Sequence, residues 1–202
     1  MVADARGQPL IRGPSASVGP PRCAERVTFK GPAPEGEPLV LPQPVHRGIA
    51  AKVLLALGML WALPNTAVGL VLGLVAVPFG ARARWRAGDL AFVFHHWPWG
   101  PGGAMTLGNV ILHTGSDLES VCATYAHAAG LSRDPPIRLC DHERAHVLQY
   151  LVLGPLFLPV YLACGGVSVR NRFERAADRY ATTGQGWWPW PAPPRPAPRP
   201  RD

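Results

Sequence analysis

The 202 residues, 48% of them apolar, suffice for one domain that folds around its own core. A formal charge of +7 raises the question of nucleic acid, yet the basic residues gather in the tails and beside apolar segments rather than on a helix face with interleaved aromatics. That excludes the recognised nucleic-acid modules and favours membrane headgroups as the anionic partner.

Residues 1–46 are rich in Pro, Gly and Arg without apolar periodicity, which predicts a disordered or extended tail. The first long apolar run begins only near Ile49, so the order of a cleavable signal peptide is missing and secretion through one is not expected. Four cysteines, Cys23, Cys122, Cys140 and Cys164, form no CxxC pair and no regular framework. They read as free thiols in a reducing compartment.

Residues 49–79 are apolar apart from Lys52 and are interrupted at Leu63-Pro64-Asn65-Thr66. A continuous helix there would be about 46 Å long, well beyond a hydrocarbon core of about 30 Å. Pro64-Asn65 is turn chemistry. Basic flanks on both sides, Arg47 and Lys52 before and Arg82, Arg84 and Arg86 after, place both ends at the cytoplasmic face. The expectation is a re-entrant or in-plane apolar hairpin; one long tilted, Pro-kinked span and a buried soluble hairpin are the alternatives.

Asp89–His95 and Ala104–His113 read as strands of a β-hairpin over 89–113, joined by a turn-rich Trp97–Gly103. The strand ending at His113 is the candidate edge to which an extended peptide could add. His113 itself is a possible oxyanion or substrate contact, with a satisfied structural histidine as the plainer reading. Trp97, Trp99, Trp187, Trp188 and Trp190 suit the headgroup level, core packing being the alternative.

The most informative stretch is His142-Glu143-Arg144-Ala145-His146, on a helix expected over 138–153. Histidines at i and i+4 share one face, so both imidazoles reach one metal ion, and Glu143 projects toward the same side. Arg144 points about 200° away from His142, toward solvent or headgroups. Cys140, two residues before His142, points elsewhere and reads as an inert thiol. Catalytic zinc commonly keeps three protein ligands, two histidines and a glutamate among the recognised sets.

A second helix, expected over 172–182, shows an apolar face of Phe173, Ala176, Ala177, Tyr180 and Ala181 with Arg172, Arg175 and Arg179 opposite. Glu174 and Asp178 lie at the edge of that stripe. Glu174 is the best third ligand, and Asp178 suits a hydrogen bond to a ligating histidine. The competing readings are a capping-box-like pair of Asn171 with Glu174 and a surface ion pair for Asp178. If His146 and Glu174 hold one ion, the apolar segment between them must come back to its start. Gly154-Pro155 and Pro159 supply breaks for a return over 154–169, a single membrane crossing is excluded, and Arg170 and Arg172 mark a cytoplasmic exit. Residues 189–202 repeat Pro and Arg and predict a second disordered tail.

His142-Glu143-x-x-His146 with the later Glu174-x-x-Ala177-Asp178 resembles the gluzincin metallopeptidases, nearest to the membrane-bound kind represented by CAAX prenyl endopeptidases and HtpX-like heat-shock proteases. The resemblance covers residues 139–182. It implies zinc on His142, His146 and Glu174, water activation by Glu143 and support from Asp178. The expected whole is an α+β, mainly helical, membrane-associated zincin-like domain over 47–188, with a short β-hairpin and one or two apolar helical hairpins. Its expected activity is zinc-dependent hydrolysis of a peptide or protein substrate at the cytoplasmic face of the inner membrane. A non-enzymatic small membrane protein with a structural or vestigial metal site is the alternative, and hydrolysis of a lipid-linked amide is a third reading. Tyr150, Tyr161, Tyr180, His113 and Arg170 stay open as oxyanion donors, and oligomeric state is not legible.

Overall fold

The computed structural model describes residues 48–100, 102–128, 130 and 136–190. The expected tail at 1–46, Cys23, and 191–202 of the second tail lie outside them. The described residues open with two apolar helices, α1 (Ile49–Trp61) and α2 (Leu63–Ala76), and a short 3-10 turn at Val77–Phe79. The two helices meet at a 63° bend, with Pro64 in the first turn of α2, where its missing N–H costs nothing. The segment is therefore two helices joined at a sharp bend, a geometry common to a broken span and a re-entrant loop, and the proline at the start of α2 is accommodated within it.

Four strands follow: β1 (Arg82–Arg86), β2 (Ala91–His95), β3 (Ala104–Leu107) and β4 (Val110–His113), in the order β1-β2-β4-β3. The expected hairpin of two strands is corrected in two ways. The stretch Ala104–His113 is itself a hairpin turning at Gly108-Asn109, and β2 runs parallel to β4 instead of antiparallel to its neighbour in sequence. Strand β1, unforeseen, pairs antiparallel with β2. The strand ending at His113 is consequently central, and β3 is an edge.

Period-2 alternation divides the sheet into two faces. Ala91, Val93 and Ile111 pack with Leu139, Cys140 and Val147 of α4 (Leu139–Leu153), while Phe94, Val110 and Leu112 pack against Leu70 and Leu72 of α2. The sheet is thus sandwiched between α2 and the histidine helix. A two-stranded ladder, β5 (Val121–Cys122) with β6 (Ile137–Arg138), and the short α3 (Tyr125–Ala128) lead into α4. Arg86 and Arg138 both pair with Glu119, tying the β1–β2 turn to the start of α4. Cys140 and Cys164 are free. Cys122 is disulfide-bonded, which corrects the expectation of free thiols throughout, since spacing along a chain says nothing of long-range pairing.

After α4 a 3-10 turn (Gly154–Leu156) leads into α5 (Phe157–Ala163), and α6 (Arg172–Thr183) closes the domain. Gly154 takes φ +54°, and a Cβ there would meet the Trp61 indole nitrogen at 2.5 Å. Asn65 donates its side-chain amide to the Gly154 carbonyl at 2.9 Å. The breaks of the two apolar helices therefore lock onto each other. Pro159 lies within α5 without ending it; the reversal falls at Gly165 and Gly166, both at positive φ.

Candidate metal centre

Helix α4 presents His142, His146 and Gln149 on one face, and α6 runs back along it so that Asp178 meets His142, Glu174 meets His146, and Phe173 meets Gln149. Asn171 caps α6 through its side-chain oxygen, which accepts from the Phe173 N–H at 2.9 Å. Glu174 is not drawn into a capping box. It is buried and points at the histidines, with Oε2 3.4 Å from His142 Nε2 and Oε1 3.4 Å from His146 Nε2; the two Nε2 atoms are 3.1 Å apart. His142, His146 and Glu174 form a group that can hold a metal ion, their donor atoms lying within 4.8 Å of one another.

These separations fit one small tetrahedral cation. With ligand bonds of about 2.0–2.1 Å, the edge of such a tetrahedron is about 3.3 Å. The donor set, two imidazole nitrogens and one carboxylate, suits zinc among several divalent ions.

Each donor is held from behind. Tyr161 donates its hydroxyl to Glu174 Oε1 at 2.6 Å. Asp178 Oδ1 lies 3.0 Å from His142 Nδ1 as an ion pair, off the line of a hydrogen bond. Gln149 Oε1 sits 2.8 Å from His146 Nδ1. Burial disfavours the charged form of His142, but the carboxylates of Asp178 and Glu174 outweigh it and hold its pKa well above the ordinary imidazole value. Burial likewise raises Glu174, and the facing His146 and His142 more than reverse it, leaving the carboxyl well below its usual range.

Glu143 is buried beside this cluster, and Thr106 of the edge strand donates to its Oε2 at 2.6 Å. Tyr150 is fully buried and its hydroxyl has no hydrogen-bond partner among the described residues. Burial, then the Glu143 charge, pushes its pKa up. His113 is buried in the central strand, its Nδ1 3.2 Å from that of His95. Arg144 is half-buried, its Nε without a hydrogen-bond partner among the described residues, and is not turned fully outward.

Thr106, Gln149 and the role of Tyr161 escaped the sequence reading. Gln149 follows His146 by three positions and could have been found from helical spacing; Thr106 carries no local signal. Of the five tryptophans expected at the interface, Trp99 is exposed, whereas Trp187, Trp188 and Trp190 pack on one another and on Phe173. No family model matches this chain, and no curated protein or solved structure matches it either.

Proposed function

We propose that the protein is a membrane-associated zinc peptidase of the gluzincin type. The observation that carries this reading is the convergence of His142, His146 and Glu174 at tetrahedral spacing with the Glu143 carboxylate held alongside. Zinc bound there supplies a Lewis acid that lowers the pKa of water to about 7 and polarises the scissile carbonyl. Glu143 takes the proton of the attacking water and returns it to the leaving amine. Thr106 holds that carboxylate by a hydrogen bond to Oε2. Strand β3, the sheet edge next to α4, offers backbone groups to which an extended peptide can add, in place of the strand ending at His113. The Tyr150 hydroxyl, on the same helix one turn beyond His146 and without a partner among the described residues, is a candidate donor for the developing oxyanion.

Leu139–Ala163 is long and apolar enough to cross a membrane, and the bent pair Ile49–Phe79 passes the same test taken together. The placement of α6 argues for attachment without a crossing by the first of these. Its arginines, Arg172, Arg175 and Arg179, are exposed, and it lies at the level of His142 to Gln149. That level is therefore outside the hydrocarbon. What is left, Leu151–Ala163, is about 20 Å of helix, too short for a core of about 30 Å.

Helices α1 and α2 support a lipid-facing role from the other side. Their buried positions are Gly58, Ala62, Thr66, Gly69, Gly73 and Ala76, all small, while Leu54, Leu57, Leu60, Val71 and Leu74 are more than half exposed. Small residues inside and large apolar ones outside is the pattern of helices packed in lipid. The basic flanks support a site at the cytoplasmic face.

Elemental analysis of detergent-purified protein, with Glu143→Gln assayed in parallel against a quenched-fluorescent peptide library, tests the proposal. Expected are one zinc per chain in both proteins and hydrolysis by the wild type alone. Hydrolysis surviving in Glu143→Gln rejects the mechanism, and a wild type that binds zinc without cleaving any peptide supports the structural-site alternative.

A further inference from the structure

Gln149 is fully buried and makes its polar contacts in two directions. Its side-chain oxygen faces His146 Nδ1 at 2.8 Å, and its amide donates to the Trp187 carbonyl at 2.8 Å and more weakly to that of Phe173 at 3.4 Å. Two backbone acceptors on the amide settle which end of Gln149 points at the histidine, because reversing it would leave three acceptors facing one another and a donor facing a ring nitrogen. The oxygen must then accept, so His146 carries its proton on Nδ1 and presents the lone pair of Nε2 toward His142 and Glu174.

The Trp187 carbonyl is itself fixed. The segment after α6 turns at Gly184, and Arg179 donates to the Gly186 and Trp188 carbonyls at 2.7 and 3.1 Å. The Trp187 ring packs with Ala145, Ala177 and Tyr180, and Trp190 meets Phe173 edge-on at 5.5 Å.

We infer that Gln149 is the positioning residue that selects the metal-binding tautomer of His146, and that the strap Gly184–Trp190 acts on the metal centre by orienting Gln149. The inference rests on the metal site proposed above. Partners of this kind fix ring orientation and ligand basicity, and their loss typically lowers metal affinity about 10- to 100-fold.

The test is zinc affinity by chelator competition in wild type, Gln149→Met and Gln149→Glu, with ring nitrogen shifts of His146 read by NMR in detergent. Gln149→Met keeps the volume and removes the acceptor, and should weaken zinc about 10- to 100-fold with the apo fold unchanged by circular dichroism. Gln149→Glu in its protonated form, with the carboxyl O–H donating to the Trp187 carbonyl, restores the acceptor toward His146 and should recover affinity. Wild-type affinity in Gln149→Met overturns the role. Should Gln149→Met not fold, the wild-type spectrum decides, since an Nε2–H tautomer at His146 overturns the inference by itself. A wild type with no zinc affinity but an Nδ1–H tautomer overturns the metal-site reading and the metal role of Gln149 together, leaving only the tautomer assignment.

Discussion

The Thr106 hydroxyl, on the edge strand β3, donates to the buried carboxylate of Glu143, on helix α4, across 2.6 Å. One hydrogen bond thus joins the strand proposed to hold substrate to the group proposed to move its proton. A hydrogen bond to a charged group is worth about 1.5–3 kcal/mol. Thr106→Val should therefore lower kcat/KM for peptide hydrolysis by about 10- to 100-fold, while Thr106→Ser should stay within a fewfold of wild type. Steady-state rates on one cleavable peptide, with zinc content measured on the same samples, check this. Equal losses in the valine and serine variants would point to packing by the Thr106 methyl instead.

Zinc has a proton to displace. Asp178 and Glu174 hold the His142 pKa well above the ordinary imidazole value, so at neutral pH the zinc-free site binds a proton there that must leave when the ion enters. Affinity should rise with pH, about tenfold per unit for each proton released. Calorimetry in two buffers of different ionisation enthalpy should show net proton release on zinc addition, and Asp178→Asn should reduce it by removing the charge that holds the proton. Zinc binding without proton release would contradict the charge state argued for His142.

The histidine helix, the Glu174 helix and the return between them were legible because helical spacing is local: His142, His146 and Glu174 needed only the period of 3.6 and the requirement that one ion hold all three. The sheet was not. Leu107-Gly108-Asn109-Val110 carries a two-residue turn signal that a reading of Ala104–His113 as one strand passes over, and nothing local tells β2 to pair in parallel with β4. The bend between α1 and α2 was visible as Pro64-Asn65, but its angle is set by what the helices pack on. Gly73 sits so close to Phe94 that a Cβ would fall 2.4 Å from its ring, a contact between residues whose adjacency only the fold creates. Thr106 reached Glu143 by the same long-range route.

His113 should make the protein acid-sensitive. Burial first, and then the neighbouring His95, lower its pKa from 6.5 to about 4. Between those values the unfolded chain binds a proton that the folded one does not, so stability rises with pH through this window and is lost as pH falls from 6.5 toward 4. The maximum contribution is about 3 kcal/mol. Denaturant midpoints at pH 7 and pH 4.5 should differ, and His113→Asn should narrow the difference. The comparison is made on zinc-free samples so that metal release does not contribute.

Gly154 combines a positive φ with contact against the Trp61 indole. Gly154→Ala meets both obstacles, backbone strain of about 1–3 kcal/mol at φ +54° and ψ −129°, a combination that glycine alone adopts readily, and displacement of Trp61 from the break it covers. The expected result is a melting temperature several degrees lower, with Trp61 fluorescence shifted as the ring leaves its site. Trp61→Ala, which removes the obstruction, should make the added methyl at Gly154 less harmful, so that the two changes together cost less than the sum of each alone.

Lipid attachment is the last point the surface makes testable. Leu57 and Leu74 are each more than half exposed on the outer side of α1 and α2, where they cover nothing within the described residues of their own domain core, and Arg82 and Arg84 are exposed on the strand that follows. Arg86 is occupied by Asp89 and Glu119, which leaves Arg82 and Arg84 to meet headgroups. Leu57→Glu with Leu74→Glu places charges where hydrocarbon is proposed, and should move the protein from the floated vesicle fraction to the bottom of the gradient in flotation with phosphatidylcholine vesicles. Arg82→Gln with Arg84→Gln should leave binding to neutral vesicles unchanged and reduce the gain on adding an anionic lipid, by about 1 kcal/mol for each arginine near the surface. Full retention of the double glutamate variant on vesicles would show that α1 and α2 face something other than lipid, and the membrane part of the proposal would fall while the metal site stood.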